Sequence, residues 1–409
     1  MEPGEIRIST LQLGDIDLTN QDRINYSVVE IYEDIFSPAG PFAEINVVDS
    51  NDLLGKNNLN GSYDKDVIIS FSLDGTASAS FKFKMMENKD LSDGSSDKIG
   101  SGHNKMYKIR CCSPELLNAQ GNYVQKSYEQ QTSKIVEDIV KNNFKSNKSI
   151  DAESTYGSRR LVFSNKHPIE AIKILNSEHV SDQHKSSAFV LFQQSDNGSQ
   201  KYVFCTFEKL FEQSPVVTLK QSAGLGFSNV GISDKANSII WIKIPNSFFT
   251  PTRSLSKSQQ NSYDPTTGTA DEVDQKKQNY SLAGKQIYDD TSYPKAVPVH
   301  TMNDAINNKS STKIAEARKN RVDFLSHLSQ THGTLEVYGN PDIKLGSIVN
   351  LDIPNKSDGN TSAGEKQFNG NALVVSIRHK IKPVGQTPRY TMVLGVVTGG
   401  YKEGGGGNG

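Results

Sequence analysis

Cysteine, tryptophan and net charge are all scarce in this chain. Its 409 residues include 3 cysteines and 1 tryptophan, and the formal net charge is −1. So few thiols cannot build a disulfide framework. Cys111 and Cys112 are adjacent, where a bond would strain the peptide between them, and on a strand they point to opposite faces. All three are expected to be buried free thiols. Because 45 basic residues stand against 46 acidic ones, no concentrated basic face of the kind a specific nucleic-acid binder carries is expected. The longest basic cluster, Lys313 to Arg321, is broken by Glu316 and reads as the wet side of a helix. Mean hydropathy is −0.54, and no apolar run approaches the roughly 18–20 residues that span a bilayer. The N-terminus holds Glu2 and Glu5 and no apolar block, so it does not read as a secretory signal. The expectation is a protein made in a cytoplasm and soluble there until it meets a partner, with no membrane binding of its own.

Familiar catalytic and ligand-binding patterns are missing too. His179 and His184, like His327 and His332, are five apart and miss the i, i+4 face of helical zinc pairs. The run from Asp264 to Asp274 lacks calcium-loop spacing and reads as linker. Gly224-Leu225-Gly226 lacks the third glycine and the following helix of a nucleotide loop, and no Gly-x-Ser-x-Gly elbow or P-loop occurs. No catalytic residue, metal site or cofactor is expected.

What is present is alternation. From Gly333 to Val397 the residues Leu335, Val337, Ile343, Leu345, Ile348, Val349, Leu351 and Ile353 mostly alternate with polar ones, as in strands with one buried face. Gly339-Asn340-Pro341 breaks the first of these strands and Gly346 lets the next one turn. Strand patterns also fill the N-terminal part: Tyr26–Tyr32, Phe42–Asp49, then Asp66–Leu73 and Ser78–Lys84 around Asp74-Gly75, a dipeptide favoured in two-residue type I′ hairpins. Lys105–Cys112 closes that part. The middle is mixed. Thr132 is placed to cap a helix with Ile135, Val136, Ile139, Val140 and Phe144 on one stripe, and Pro168 opens a second helix. Phe189–Gln194 and Lys201–Phe207 form a hairpin around Asp196-Asn197-Gly198, and strands return before Ile244. Residues 250–298 lose apolar periodicity and are polar, so the segment is either disordered or a binding arm, and as free coil it is long enough to reach a neighbouring subunit. A helix with Ser311 or Thr312 as cap, Arg321, Leu325 and Leu328 on one side and Gly333 as stop leads into the last strands.

The fold class expected is mainly β with an α+β insertion: two tube-like antiparallel β-barrels plus a mixed α/β domain. The chain divides into a first barrel (1–114), an α/β inserted domain (115–213), strands of the second barrel (214–248), a polar arm (249–310), a helix with the rest of the second barrel (311–398) and a glycine-rich tail (399–409). Two parts share a plan. A strand ending in Glu30-Ile31-Tyr32-Glu33-Asp34 precedes a turn and another strand, and Leu335-Glu336-Val337-Tyr338-Gly339-Asn340 does the same.

The phrases YSVVEIYEDIFSPAGPFAEINVVDSNDLL, RRLVFSNKHPIEAIKILNSEHV and GTLEVYGNPDIKLGSIVNLDIP occur in that order. Together they resemble the baseplate central hub proteins of contractile (myovirus) phage tails, relatives of the hub part of type VI secretion valine-glycine repeat spikes. The resemblance spans most of residues 6–400; segment 250–298 fits it least. It implies a non-enzymatic structural part of the virion tail baseplate, assembled in the host cytoplasm. It further implies a homotrimer whose six related barrels form a ring of pseudo-sixfold symmetry. One face would take a hexameric tail tube or tube initiator and the other a trimeric central spike, with the tape-measure protein and baseplate wedge as further contacts. Tyr32, Glu33, Asp34 and Asp49, with Gly339, Asn340, Pro341 and Gly346, are placed in and around the barrels. The alternatives are the hub or spike core of a related contractile injection or secretion system, a receptor-binding tail protein, and a cell-wall-degrading one, which needs paired carboxylic acids.

Overall fold

The computed structural model of the chain describes residues 4–19, 24–49, 54, 65–73, 77–90, 105–177, 179–184, 187–196, 198–221, 237–243, 258–264, 269–274, 281–282, 285–286, 296–302, 321, 325, 328, 332–353, 370–384 and 387–398. The architecture is mainly β. The N-terminal part supplies β1 (Arg7–Leu13), β2 (Ile16–Asp17), β3 (Ile24–Asp34), β4 (Phe42–Asp49), β5 (Asp66–Leu73), β6 (Ala77–Asp90) and β7 (Lys105–Cys112). Period-2 burial explains them: Ala43, Ile45 and Val47 of β4 and Val67, Ile69 and Phe71 of β5 are buried, while the residues between them are less so. In space the order is β3-β4-β7-β6-β5-β1-β2. Leu73 pairs with Ala77, which leaves a connection longer than the two-residue turn expected at Asp74-Gly75. The turn itself lies outside the described residues.

The insertion holds α1 (Pro114–Gly121), β8 (Val124–Gln130), α2 (Thr132–Asn142), β9 (Ile150–Ala152), β10 (Arg159–Lys166), α3 (Pro168–Ser177), β11 (Phe189–Asp196), β12 (Ser199–Thr206) and α4 (Phe207–Phe211). Ser113 caps α1 by accepting from the Leu116 N–H, with Pro114 at the first helical position. The expected Thr132 cap of α2 is corrected. Gln131 holds the cap position without a side-chain bond. Thr132 Oγ1 instead lies 2.6 Å from His179 Nδ1, and the Ser133 N–H donates to Thr155 Oγ1 at 3.1 Å. A hydroxyl from a distant segment therefore satisfies the donor that a local cap usually takes. Ile135, Val136, Ile139 and Val140 of α2 pack with Ile172 and Leu175 of α3 and with Phe189 and Phe204 beneath them.

Then follow β13 (Val217–Lys220) and β14 (Ile239–Lys243), β15 (Ser258–Asp264), β16 (Thr269–Asp274), β17 (Ser281–Leu282), β18 (Lys285–Gln286), β19 (Ala296–Met302), β20 (His332–Tyr338), β21 (Ile348–Asp352), β22 (Gly370–Val384) and β23 (Thr387–Thr398). In the segment that the sequence left open between a disordered stretch and a binding arm, β16, β15 and β19 form a sheet in that order. Backbone pairing needs no apolar periodicity, so the pattern could not announce it. Of the expected helix after 310, only Arg321, Leu325 and Leu328 are described, and all three are helical. Its caps Ser311 and Thr312, the Gly224-Leu225-Gly226 stretch and the tail from 399 lie outside the described residues.

Two rings of strands close around one shared hairpin. In the first, β22 pairs with β3, and Glu5 bridges Arg389 of β23, returning the sheet to β1. In the second the order is β13-β21-β22-β23-β20-β14, and a bridge from Lys220 to Ser238 brings β14 back to β13. On β22, Ser376–Ile381 pair with β3 of the first ring and Gly370–Leu373 with β21 of the second, while Thr391–Val397 of β23 pair with β20 of the second. Both interiors are packed: Phe71, Phe81, Phe83 and Tyr390 are fully buried in the first, as are Leu335, Val337, Ile348 and Leu373 in the second.

Candidate functional site

The shared hairpin gathers the side chains that hold the molecule together. The two strands whose sequences echo each other, β3 and β20, lie on its two sides, β3 on β22 and β20 on β23. The likeness stops there, because β4 pairs with β3 whereas β21 pairs with β22.

Glu33 points inward from β3. Its Oε1 lies 2.6 Å from His379 Nε2, and His379 Nδ1 lies 2.7 Å from the Tyr390 hydroxyl. Exposure is 5% for Glu33, 4% for His379 and 0% for Tyr390. Phe71 stands 5.0 Å from the Tyr390 ring and Phe81 5.5 Å from the His379 ring. Burial pushes the Tyr390 hydroxyl pKa well above its ordinary value. If Tyr390 donates to Nδ1 and the Nε2–H donates to Glu33, each buried group has a partner. A tyrosine–histidine–glutamate chain has the parts of a proton relay, but this one is sealed from solvent. It locks β3, β22 and β23 in register.

Gly339 belongs to the same assembly. Its N–H donates to the Tyr390 carbonyl at 2.9 Å, and a Cβ there would sit 1.9 Å from Tyr390 Cδ1. Asn340 donates its N–H to Met392 Sδ at 3.3 Å, and its Oδ1 accepts from the Asp342 N–H at 3.0 Å, which shapes the turn containing Pro341. Gly346 has φ +78° and lies under the Phe192 ring of the insertion. Its N–H donates to Val374 O and its own carbonyl accepts from Gln213 Nε2, both at 2.9 Å.

The other residues singled out in the sequence lie elsewhere. Tyr32 is on the outer face, stacked on Phe42 with centroids 4.7 Å apart and with the Arg378 guanidinium 5.3 Å from its ring. Its hydroxyl donates to Glu30 at 2.5 Å. Burial first, then that bond, push its pKa up to about 12. Asp34 is exposed and accepts from the Phe36 N–H at 2.8 Å. Asp49 is buried and accepts from the Leu54 N–H at 2.9 Å. These residues therefore make no single surface. Glu33, Gly339 and Asn340 converge on β23, Gly346 faces the insertion, and Tyr32 and Asp34 face outward.

The sequence reading missed the joints of the insertion. Lys148 reaches Gln193 Oε1 at 2.7 Å and Glu115 at 2.9 Å, while Gln193 Nε2 donates to the Tyr202 hydroxyl at 2.7 Å. Gly40, with φ +97°, lies directly beneath Gln193. On the other side, Lys344 pairs with Asp196 at 2.6 Å and Gln194 donates to Leu345 O at 2.7 Å. The insertion is thus tied to both rings. No motif marks these residues, since each is an ordinary polar side chain until its partner is known.

A cleft of about 280 Å³ between the 36–41 turn and α3 has Phe36, Pro38, Phe42, Ile169 and Lys173 on its walls, with Asp34 at its rim. Among the described residues no group of three or more His, Cys, Asp or Glu is arranged to hold a metal ion, and no helix is long and apolar enough to cross a membrane. The three thiols are buried, and burial raises the pKa of Cys111 and Cys205.

No protein-family model and no curated protein matches the chain. Solved structures do. The 43 kDa tail protein of prophage MuSo2 from Shewanella oneidensis is 13% identical, with 96% of this chain and 98% of that chain covered and a TM-score of 0.57. A tail protein from Neisseria meningitidis is 9% identical, with 96% of each chain covered and a TM-score of 0.57. An Escherichia coli component of the type VI secretion system, itself similar in structure to the T4 bacteriophage tail proteins gp27 and gp5, is 12% identical over 98% of this chain and 79% of that one, at a TM-score of 0.50. At such identities the fold is what is shared: this chain has the fold of phage tail proteins along nearly its whole length.

Proposed function

We propose that the protein is a non-enzymatic structural part of a phage-type tail, the hub of the baseplate. Three copies would form a ring of six barrels that takes a hexameric tail tube on one face and a trimeric spike on the other, with tape-measure and wedge proteins as further neighbours. The observation that carries this reading is the shared hairpin. Because β22 and β23 are walls of both rings, each chain brings two barrels as one stiff unit, and a cyclic trimer of such units closes on itself. The fold likeness to tail proteins over 96% of the chain supports it. In this reading Tyr32 and Asp34 face neighbours, while Glu33, Asp49, Gly339, Asn340, Pro341 and Gly346 keep the barrel frame in shape.

The test is the native mass of the purified chain by light scattering. One copy is 45.0 kDa, so a closed trimer is expected near ~135 kDa, with a six-lobed ring in electron micrographs. A monomer at every concentration, alone and with tube and spike proteins, would overturn it. The likeness to the type VI secretion component keeps a second reading in play, the hub of a related injection machine. Immunogold labelling of purified tail tips separates the two. A wall-lysis assay with the pure protein is expected to show no activity.

A further inference from the structure

Two strands of this chain are edges of opposite charge. β10 pairs only with β8, and its sequence RRLVFSNK carries Arg159, Arg160 and Lys166 with no acid. β16 pairs only with β15, and its sequence TADEVD carries Asp271, Glu272 and Asp274 with no cation. Neither has a partner strand on its outer side among the described residues.

An open edge strand is a template for another strand, and proteins usually blunt it with charge, proline or a bulge. The far edge of the arm sheet, β19, carries Pro298, which has no N–H to give; β16 has no proline, and its acids repel a like-charged strand but not a basic one. The neighbouring strand β15, SQQNSYD, contains no Lys or Arg, and in register Glu272 pairs with Asn261, Asp271 with Ser262 and Asp274 with Gln259. Lys276 and Lys277 follow β16 and lie outside the described residues. On β10, Val162 is 77% exposed, more than any other large apolar side chain described. Arg160 pairs with Glu129 at 2.7 Å, but both are more than half exposed and free to exchange partners.

We propose that β16 of one copy adds to the outer edge of β10 of a neighbouring copy, so that each arm straps two subunits together. The proposal rests on the reading of the chain as a multi-copy ring, and it names one contact of that ring. Like charges oppose β10 pairing with β10 and β16 with β16, and opposite charges favour the mixed pair. Backbone bonds supply the attachment, as in other cases of strand addition. The two strands do not pair within one chain. Residues 244–257 and 303–320 flank the arm, and the shorter of these connections, fully extended, reaches up to ~46 Å.

The experiment mixes full-length V162C chains with full-length E272C chains and adds a short bismaleimide. Only a contact between copies can join the two, and the native thiols are buried. A covalent dimer is expected from the mixture and from neither variant alone. Changing Asp271, Glu272 and Asp274 to Lys should weaken association at least tenfold, and adding Arg160→Glu and Lys166→Glu should restore it. A trimer by light scattering that yields no cross-link overturns the strap and leaves the ring standing. A monomer by light scattering overturns the ring and the strap with it.

Discussion

Glu33 and His379 are 346 positions apart in the chain and 2.6 Å apart in the first barrel. The contact shows that the first barrel is completed by the last strands of the protein. Such a ring cannot close until its distant wall arrives, and loop-closure entropy opposes that step.

A fragment ending at residue 114, the boundary that composition suggests for the first barrel, is therefore expected to lack a cooperative fold. The β3 edge that β22 covers would be open, and Tyr390 would be missing from the core. Circular dichroism melts and amide NMR spectra of 1–114, with and without a fused 370–398 hairpin, check this. A sharp melt for the bare fragment would be the contrary result.

Glu33→Leu strands the His379 donor in an apolar core, a loss of ~1–3 kcal/mol for a buried group without its partner. Combined with His379→Leu, the cost is expected to fall below the sum of the two single changes, because the orphan is removed. Urea unfolding of the four proteins in the cycle measures the coupling. Simple additivity would mean that the two residues act separately.

Gly339 and Gly346 are expected to fail for different reasons. At Gly339 an added Cβ meets the Tyr390 ring at 1.9 Å, so Gly339→Ala should abolish soluble folding or lower Tm severely. At Gly346 the added atom lies 2.7 Å from Phe192 Cζ in a backbone with φ +78°. Gly346→Ala carries a left-handed cost of roughly 1–2 kcal/mol as well as that contact. Adding Phe192→Leu should relieve the contact and leave the backbone cost. Differential scanning fluorimetry of the variants separates the two.

His184 sets a pH dependence. Its Nδ1 lies 2.9 Å from Glu153 Oε1 and its Nε2 3.2 Å from Glu212 Oε1, and both nitrogens donate only when the ring is protonated. Partial burial acts to lower its pKa, but the hydrogen bonds and charges of the two carboxylates outweigh burial and raise it. The stability this contributes is complete below the unfolded value near 6.5 and is lost as pH rises through the raised folded value. Tm should fall across that window in the wild type and not in His184→Gln. Glu153 gives the opposite limb. Burial acts to raise its pKa, yet bonds from Ser181, Thr206 and His184 lower it, so its contribution is lost as pH falls through the depressed value. Calorimetry from acid to mildly alkaline pH checks both limbs.

Composition and periodicity by themselves determined the β-rich class, the mixed insertion, the buried thiols and most strand positions. These properties depend on neighbours two to four residues apart, a range over which burial leaves a readable period. Polar strands such as β15 and β16 leave no such period, so the sequence left their segment open between a disordered stretch and a binding arm. The Thr132 cap failed because Thr155 took over the helix donor and His179 took the hydroxyl. Tertiary structure alone decided that one hairpin serves both rings, that Glu33 and Gly339 meet through Tyr390 while Tyr32 turns outward, and that Gln193 on Ala39 O and Lys344 on Asp196 hold the insertion in place. The physical reason is that a hydrogen bond or a ring contact is set by distance in space, and Glu33 carries no mark of a histidine 346 residues away.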